Sequence, residues 1–397
     1  MEYGSEEKKV VSLVHCADYE RDNVSAAVKR AVDLTGGIGA FVTPGQTVLV
    51  KPNLLMASEP ETSVVTHPEV IYAVVRLLRD YGCRVIIADS PGGGMRYTAR
   101  NLEKAYEKAG FASVARELGA ELNTDPSDST LTYHEGKAVK QFRIIKPATE
   151  ADAIVMVSKA KTHTLTYYSG AVKNLFGVVP GLEKPLFHAR FQDPERFSEM
   201  LLDLNGLMKP VLQVMDAVEG MEGNGPMSGS PRHIGAVLAG SDANALDVVV
   251  SQMIALDPHE IETIKCAINR GLLKGDFSDV EVCGDDPASV TVSDYRHPST
   301  YRNKSRNTLI NRRILAFFQK KGIVVAPRPV PDTERCTGCG NCVRVCPVDA
   351  ITMKSRKVTF DLKKCIRCYC CHEMCDSAAI RLERNLIGRL VWGLLGD

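Results

Sequence analysis

Aromatic residues make up only 6% of this 397-residue sequence, with a single Trp, and the formal net charge is only +1. A near-neutral chain has no global field to gather a polyanion, so no nucleic-acid partner is expected. No apolar run approaches the roughly 18–20 residues that span a bilayer, so no transmembrane segment is expected. The opening MEYGSEEKKVVSLVHC lacks a basic-then-apolar pattern and a small-residue cleavage site, which points to a cytoplasmic location. Neither a full G-x-G-x-x-G after the first strand nor a Walker loop is present, so bound NAD or ATP is not supported. What is left is a globular composition, 44% hydrophobic and 24% charged. The length suits one large and one small domain better than a single core.

Cysteine is the exception to this ordinariness. Of thirteen, nine lie between Cys336 and Cys375, and only Cys16, Cys83, Cys266 and Cys283 are scattered over the preceding chain. A disulfide framework would spread its cysteines and would belong to an oxidising compartment. Clustering in one short segment indicates metal. Cys336-Thr-Gly-Cys339-Gly-Asn-Cys342-Val-Arg-Val-Cys346-Pro347 and Cys365-Ile-Arg-Cys368-Tyr-Cys-Cys371-His-Glu-Met-Cys375 repeat one C-x2-C-x2-C-x3-C spacing. That is the two-cluster bacterial ferredoxin pattern, in which the fourth cysteine of each run ligates the other cluster. One [4Fe–4S] cluster is therefore expected on Cys336, Cys339, Cys342 and Cys375, and the second on Cys365, Cys368, Cys371 and Cys346. Zinc also binds C-x2-C pairs, but eight ligands in two such runs favour iron–sulfur. Asp376 stands where a second proline is usual, and Cys370 is read as a spare thiol beside the ligand Cys371.

Upstream, short Val/Ile-rich runs alternate with amphipathic stretches. Strands are predicted at Val10–Val14, Val48–Val50, Arg84–Ala88, Ala153–Val157, Val211–Met215, Ile234–Leu238 and Val280–Val282. Helices are predicted at Asn23–Leu34, Pro68–Tyr81, Asn101–Lys108, Glu195–Leu207, Ala243–Ala255 and Glu260–Arg270. The alternation predicts an α/β fold, a mostly parallel sheet covered by helices on both faces, beside a small α+β two-cluster ferredoxin-like domain. In such sheets ligands sit beyond the carboxyl ends of the strands. The polar and Gly-rich segments fall there: Lys51-Pro52-Asn53, Asp89-Ser90-Pro91-Gly92-Gly93-Gly94, Ser158 to Gly181, and Asp216 to Pro226. Glycine turns present backbone amides to anions while Lys51, Lys161 and Lys173 add countercharge. His163, Lys173 and Asp216 are the candidate catalytic residues. Lys51, Asn53, Asp89, Gly93, Lys161, Asn174 and Glu222 are the candidate pocket residues.

At these loops the chain resembles the family called domain of unknown function 362, DUF362. Lys51-Pro52-Asn53, Lys161-Thr162-His163, Gly170-Ala171-Val172-Lys173-Asn174-Leu175-Phe176-Gly177 and Asp216-Ala217-Val218-Glu219-Gly220-Met221-Glu222-Gly223-Asn224-Gly225-Pro226 carry the match, over roughly residues 10–285. Members are often fused to a ferredoxin-like module, so the resemblance implies a fold and an association with iron–sulfur chemistry. A more distant likeness is to the catalytic domain of the nickel-pincer lactate racemase family, through His163, Lys173 ten residues on, and Pro180-Gly181. This chain has Ala-Val-Lys-Asn where that family approaches its lysine through glycines. A further small-molecule cofactor in the α/β domain is left open.

The expected organisation is an α/β domain over 1–295, a basic amphipathic helix and Pro-rich hinge over 296–330, the ferredoxin-like domain over 331–385, and an apolar tail over 386–397. The helix reading rests on Arg302, Lys304, Arg306, Arg312, Arg313, Lys320 and Lys321 beside Leu309, Ile310, Ile314, Leu315, Phe317 and Phe318. Two functions fit. One is an oxidoreductase whose clusters pass low-potential electrons to an anionic or polar small-molecule substrate held in the α/β pocket. The alternative is an electron carrier whose α/β domain recognises a redox partner protein.

Overall fold

The computed structural model describes residues 8–92, 96–181, 183–191, 193–301, 327–375 and 377–383. The expected linker helix, the apolar tail and Gly93 lie outside the described residues. Among those described, no helix is long and apolar enough to cross a membrane.

Eleven strands precede residue 290: β1 (Lys9–His15), β2 (Thr47–Pro52), β3 (Arg84–Ile87), β4 (Glu121–Leu122), β5 (Asp128–Thr132), β6 (Gln141–Ile145), β7 (Ala153–His163), β8 (Tyr167–Ser169), β9 (Leu212–Asn224), β10 (Ser228–Gly240) and β11 (Val280–Gly284). Nine form one sheet in the order β11-β1-β10-β9-β7-β2-β3-β4, with β8 on β7; β5 and β6 form a separate pair. The pairings β1/β11, β2/β3, β2/β7, β3/β4 and β7/β9 are parallel, whereas β10 runs antiparallel to β1 and β9, and β8 to β7. The sheet is thus mixed but mostly parallel, as the strand–helix alternation predicts.

Period-two alternation explains why both faces are covered. In β2, Leu49 points into one core cluster and Val48 and Val50 into the other; in β7, Ile154 and Met156 oppose Ala153, Val155 and Val157. Helices Arg21–Leu34, Pro68–Asp80, Ala99–Lys108 and Phe111–Leu118 bury their apolar stripes on the Val48 side. Helices Pro194–Met208, Ala243–Met253 and Glu262–Asn269 do so on the Leu49 side. Each fully buried Val, Leu or Ile contributes about 1.5–3 kcal/mol. Asp193 and Asp242 begin two of these helices by accepting from backbone N–H groups two and three residues on.

The sequence predicts strands ending at Val157 and Met215, with polar loops beyond. Instead β7 continues to His163 and β9 to Asn224, which turns into β10. Polar residues persist in buried strands because their side chains find partners: Thr162 Oγ1, for example, donates to Met221 O at 3.0 Å.

The chain from Tyr295 to Tyr301 still packs on the α/β part. Tyr295 is buried, the Arg296 guanidinium bonds Glu222 at 2.7 Å, and Thr300 Oγ1 donates to Thr164 O at 2.6 Å. Further on, β12 (Arg328–Pro331) pairs antiparallel with β15 (Ile380–Glu383), and β13 (Ile351–Lys354) with β14 (Lys357–Phe360).

Candidate functional site

The two cysteine runs fold as near copies of one another. Residues two and four beyond the first cysteine are left-handed in both: Gly338 (φ 73) and Gly340 (φ 74) in the first run, Arg367 (φ 56) and Tyr369 (φ 60) in the second. Glycine adopts this conformation freely, whereas other residues there cost about 1 kcal/mol or more each. Asp349 (φ 50) and Ala378 (φ 48) repeat the match three residues beyond Cys346 and Cys375. In each copy the last cysteine accepts a backbone N–H from four residues on, Ala350 to Cys346 Sγ at 3.2 Å and Ala379 to Cys375 Sγ at 3.1 Å.

Two cavities lie between these loops. One, of about 370 Å³, is lined by Cys336, Cys339, Cys342 and Cys375. The other, of about 330 Å³, is lined by Cys346, Cys365, Cys368 and Cys371, with Cys370 in its wall. Each thus draws three thiols from one run and one from the other. Four thiols around each space, with N–H groups aimed at sulfur, are a donor set that fits an iron–sulfur cluster.

A third cavity, of about 740 Å³, opens at the carboxyl ends of β2, β3 and β7. Lys51, Asn53, Asp89, Ser90, Lys161, His163, Lys173, Asn174, Gly177, Lys184 and His188 line it, and Val345, Cys370 and Met374 of the cysteine-rich part close it. Lys51 Nζ bonds Asp89 Oδ2 (2.7 Å), Asn174 Oδ1 (3.0 Å) and Pro52 O (2.6 Å). Lys161 Nζ bonds Asn53 Oδ1 and Val64 O, both at 2.9 Å. Lys184 Nζ reaches Ser90 O at 2.5 Å. Gly177 has to be glycine: a methyl there would overlap both Asp89 Oδ1 and the Lys51 ammonium.

The short helix Ala171–Asn174, which carries Lys173 and Asn174, is anchored from behind. Asp247 Oδ1 accepts from Ala171 N at 2.6 Å and Oδ2 from Val172 N at 3.1 Å. A side chain at Gly170 would collide with that carboxylate.

Burial governs the cavity's titration. Desolvation, then repulsion from Lys173, Lys159 and Lys51, holds Lys161 well below the usual lysine range. Desolvation lowers Lys184 to about 7, with Lys51 and Lys173 adding to the effect against Asp89. Desolvation and Lys173 lower His188 to about 3. His163 is likewise held well below its normal value by desolvation and then Lys173. Its Nδ1 accepts from Leu165 N (3.1 Å) and Thr166 N (3.3 Å), so the ring proton sits on Nε2. Nδ1 is thus occupied as an acceptor, and the ring's donor is Nε2–H.

Of the sequence candidates, Lys51, Asn53, Asp89, Lys161, His163, Lys173 and Asn174 meet in this cavity. Asp216 and Glu222 do not line it. Asp216, fully buried, accepts from Tyr19 OH (2.8 Å), His67 N (2.9 Å) and Lys159 Nζ (3.0 Å), and Tyr19 stacks on His67. Glu222 pairs with Arg296. Ser90, Lys184, His188 and the anchoring Asp247 were missed as site residues. Lys184 and His188 stand four apart on one helix, Glu183–Arg190, which puts them on one face; that spacing was their only signal.

An α/β domain with a cationic cavity, joined to a cysteine-rich module, defines the class. Residues 329–352 match the 4Fe-4S binding domain. Residues 48–252 match the domain of unknown function DUF362, and the chain belongs to that family. It is 34% identical over 265 residues to a thylakoid-associated protein of Synechocystis sp., covering 66% of this chain and 80% of that protein. Among solved structures, the lactate racemase apoprotein of Thermoanaerobacterium thermosaccharolyticum aligns with TM-score 0.42 and 15% identity, over 62% of this chain and 57% of that one. A Thermotoga maritima protein aligns with TM-score 0.36 and 13% identity, over 60% of each chain. The chain spans less than two thirds of either solved structure.

Proposed function

We propose that this protein is an iron–sulfur oxidoreductase that reduces or oxidises a polar small molecule held in the α/β cavity. Two [4Fe–4S] clusters, when bound, would supply single electrons; Cys336, Cys339, Cys342 and Cys375 would hold one, and Cys346, Cys365, Cys368 and Cys371 the other. One observation carries the reading. Cys370 lines both the second thiol cavity and the polar cavity, so a single side chain separates the two. A carrier that only recognised a partner would have no need of a buried polar cavity against its redox module.

The residues divide the remaining work. Lys161 and Lys173 orient the ligand and balance its charge, while Lys51, whose three N–H groups are taken within the protein, holds Asp89 and Asn174 in place. His163 holds a donor hydrogen on Nε2. Val345 and Met374 contribute apolar surface that excludes water. Lys184, lowered to about 7, is placed to exchange a proton with a ligand whose charge changes. The domain limit is proposed near Tyr301 on the packing of Tyr295 to Tyr301, and the cytoplasm as location on cysteines clustered at iron–sulfur spacing rather than spread as a disulfide framework.

The test is anaerobic purification followed by mass spectrometry of any co-purifying small molecule. That molecule, added to dithionite-reduced protein, is expected to restore the visible absorption of oxidised clusters. Clusters that respond only to an added protein partner would favour the carrier instead.

A further inference from the structure

Among the described residues, the cavity holds three buried polar atoms without hydrogen-bond partners: Asp89 Oδ1, Ser90 Oγ and His188 Nδ1. All three residues are more than nine-tenths buried. Buried polar groups are paired in the great majority of native structures, so three orphans lining one cavity point to a ligand. Among the described residues, they sit beside four lysines, Lys51, Lys161, Lys173 and Lys184, and one carboxylate, Asp89. Negative charge placed among these lysines relieves their mutual repulsion. Yet Asp89 Oδ1 is an acceptor only, and an anion without a hydrogen to give would face it as a like charge.

We infer that the cavity selects a small anion that also carries a hydroxyl, the anionic oxygens meeting the lysines and the hydroxyl donating to Asp89 Oδ1. The inference rests on reading the cavity as a ligand site, and it adds the ligand's chemical class. Gly177 takes part in the selection. A side chain there would overlap Asp89 Oδ1 and the Lys51 ammonium, so its absence leaves room beside the unpaired acceptor. Asp89 Oδ2 is already committed to Lys51 Nζ and to Leu54 N at 2.9 Å, which fixes Oδ1 as the free oxygen. Ser90 Oγ can donate to the anion, and His188 Nδ1 supplies a further contact.

Hydrogen phosphate and sulfate separate the two requirements, since they match in size and charge while only the former has an O–H. Calorimetric titrations of the oxidised full chain with each ion, at pH 7.5 and fixed ionic strength, read the preference without electron transfer. Hydrogen phosphate is expected to bind about tenfold or more tighter than sulfate, the cost of leaving a buried acceptor unpaired. Asp89→Asn, whose amide can donate to either ion, is expected to erase that preference. Equal binding of the two ions by the wild-type chain, or binding of neither, overturns the inference. A failure of clusters to respond to a bound ligand would sink the redox reading and leave this preference standing.

Discussion

Asp216 was a candidate catalytic residue in the sequence, and the structure makes it the counter-ion of a buried ammonium. Asp216 and Lys159 have side chains that are 0% exposed and 3.0 Å apart. Replacing Asp216 by Asn keeps the shape but removes the charge. It also turns one oxygen into an N–H donor, facing either the Tyr19 hydroxyl or the Lys159 ammonium. Breaking a buried ion pair from one side costs about 3–5 kcal/mol, because the remaining ion stays desolvated. With a urea m-value of about 3 kcal/mol/M, the midpoint should fall by about 1–1.7 M. Adding Lys159→Met to Asp216→Asn removes the stranded charge and should be no worse than Asp216→Asn alone. Urea unfolding followed by far-ultraviolet circular dichroism reads all three proteins. An Asp216→Asn protein within 1 kcal/mol of wild type, with its loss confined to activity, would refute the structural role.

Anaerobically prepared protein should hold about eight irons per chain, as two cubanes require; by metal analysis Cys339→Ala should lose about half, whereas Cys370→Ala should keep all. Buried neutral His188, at about 3 against an ordinary 6.5, adds stability above pH 6.5 that is lost as pH falls below it. Between pH 6.5 and 5.5 that loss amounts to about 1 kcal/mol, so unfolding over this interval should be less pH-dependent in His188→Gln than in wild type. A fragment ending at Tyr301 should stay soluble and folded. One ending at Asp294 loses buried Tyr295 and strands Glu222 without Arg296, and should be less stable by about 3 kcal/mol or more, a urea midpoint lower by about 1 M.

Local patterns carried much of this protein into view. The alternation of Leu49 with Val48 and Val50, repeated in β7, β9 and β10, is readable as strands buried on both faces. The spacing of the cysteines carried the crossed pairing that places Cys375 beside Cys336 and Cys346 beside Cys365. Strand ends near Pro52, Ile87 and His163 brought Lys51, Asp89 and His163 to one edge because parallel neighbours share a direction. What could not be read were the partners. Nothing near Asp216 in the sequence announces Lys159 or Tyr19, which come from 57 and 197 residues away. For the same reason the polar stretches after Val157 and Met215 look like loops, although long-range pairing makes them strands. Lys184 and His188 lie in a helix of weak amphipathicity, whose place over the cavity is set by tertiary packing alone.

The most direct measurement is a redox titration of the anaerobic full chain, followed by electron paramagnetic resonance, for wild type and Lys184→Gln. Two [4Fe–4S] couples are expected in both. At pH 6, below the Lys184 value of about 7, removing this positive charge from the cavity should lower the potential of one couple, the one held beside Cys370, and leave the other in place. Two couples that both ignore the substitution, or a chain that binds no iron, would contradict the coupling of the cysteine-rich module to the cavity.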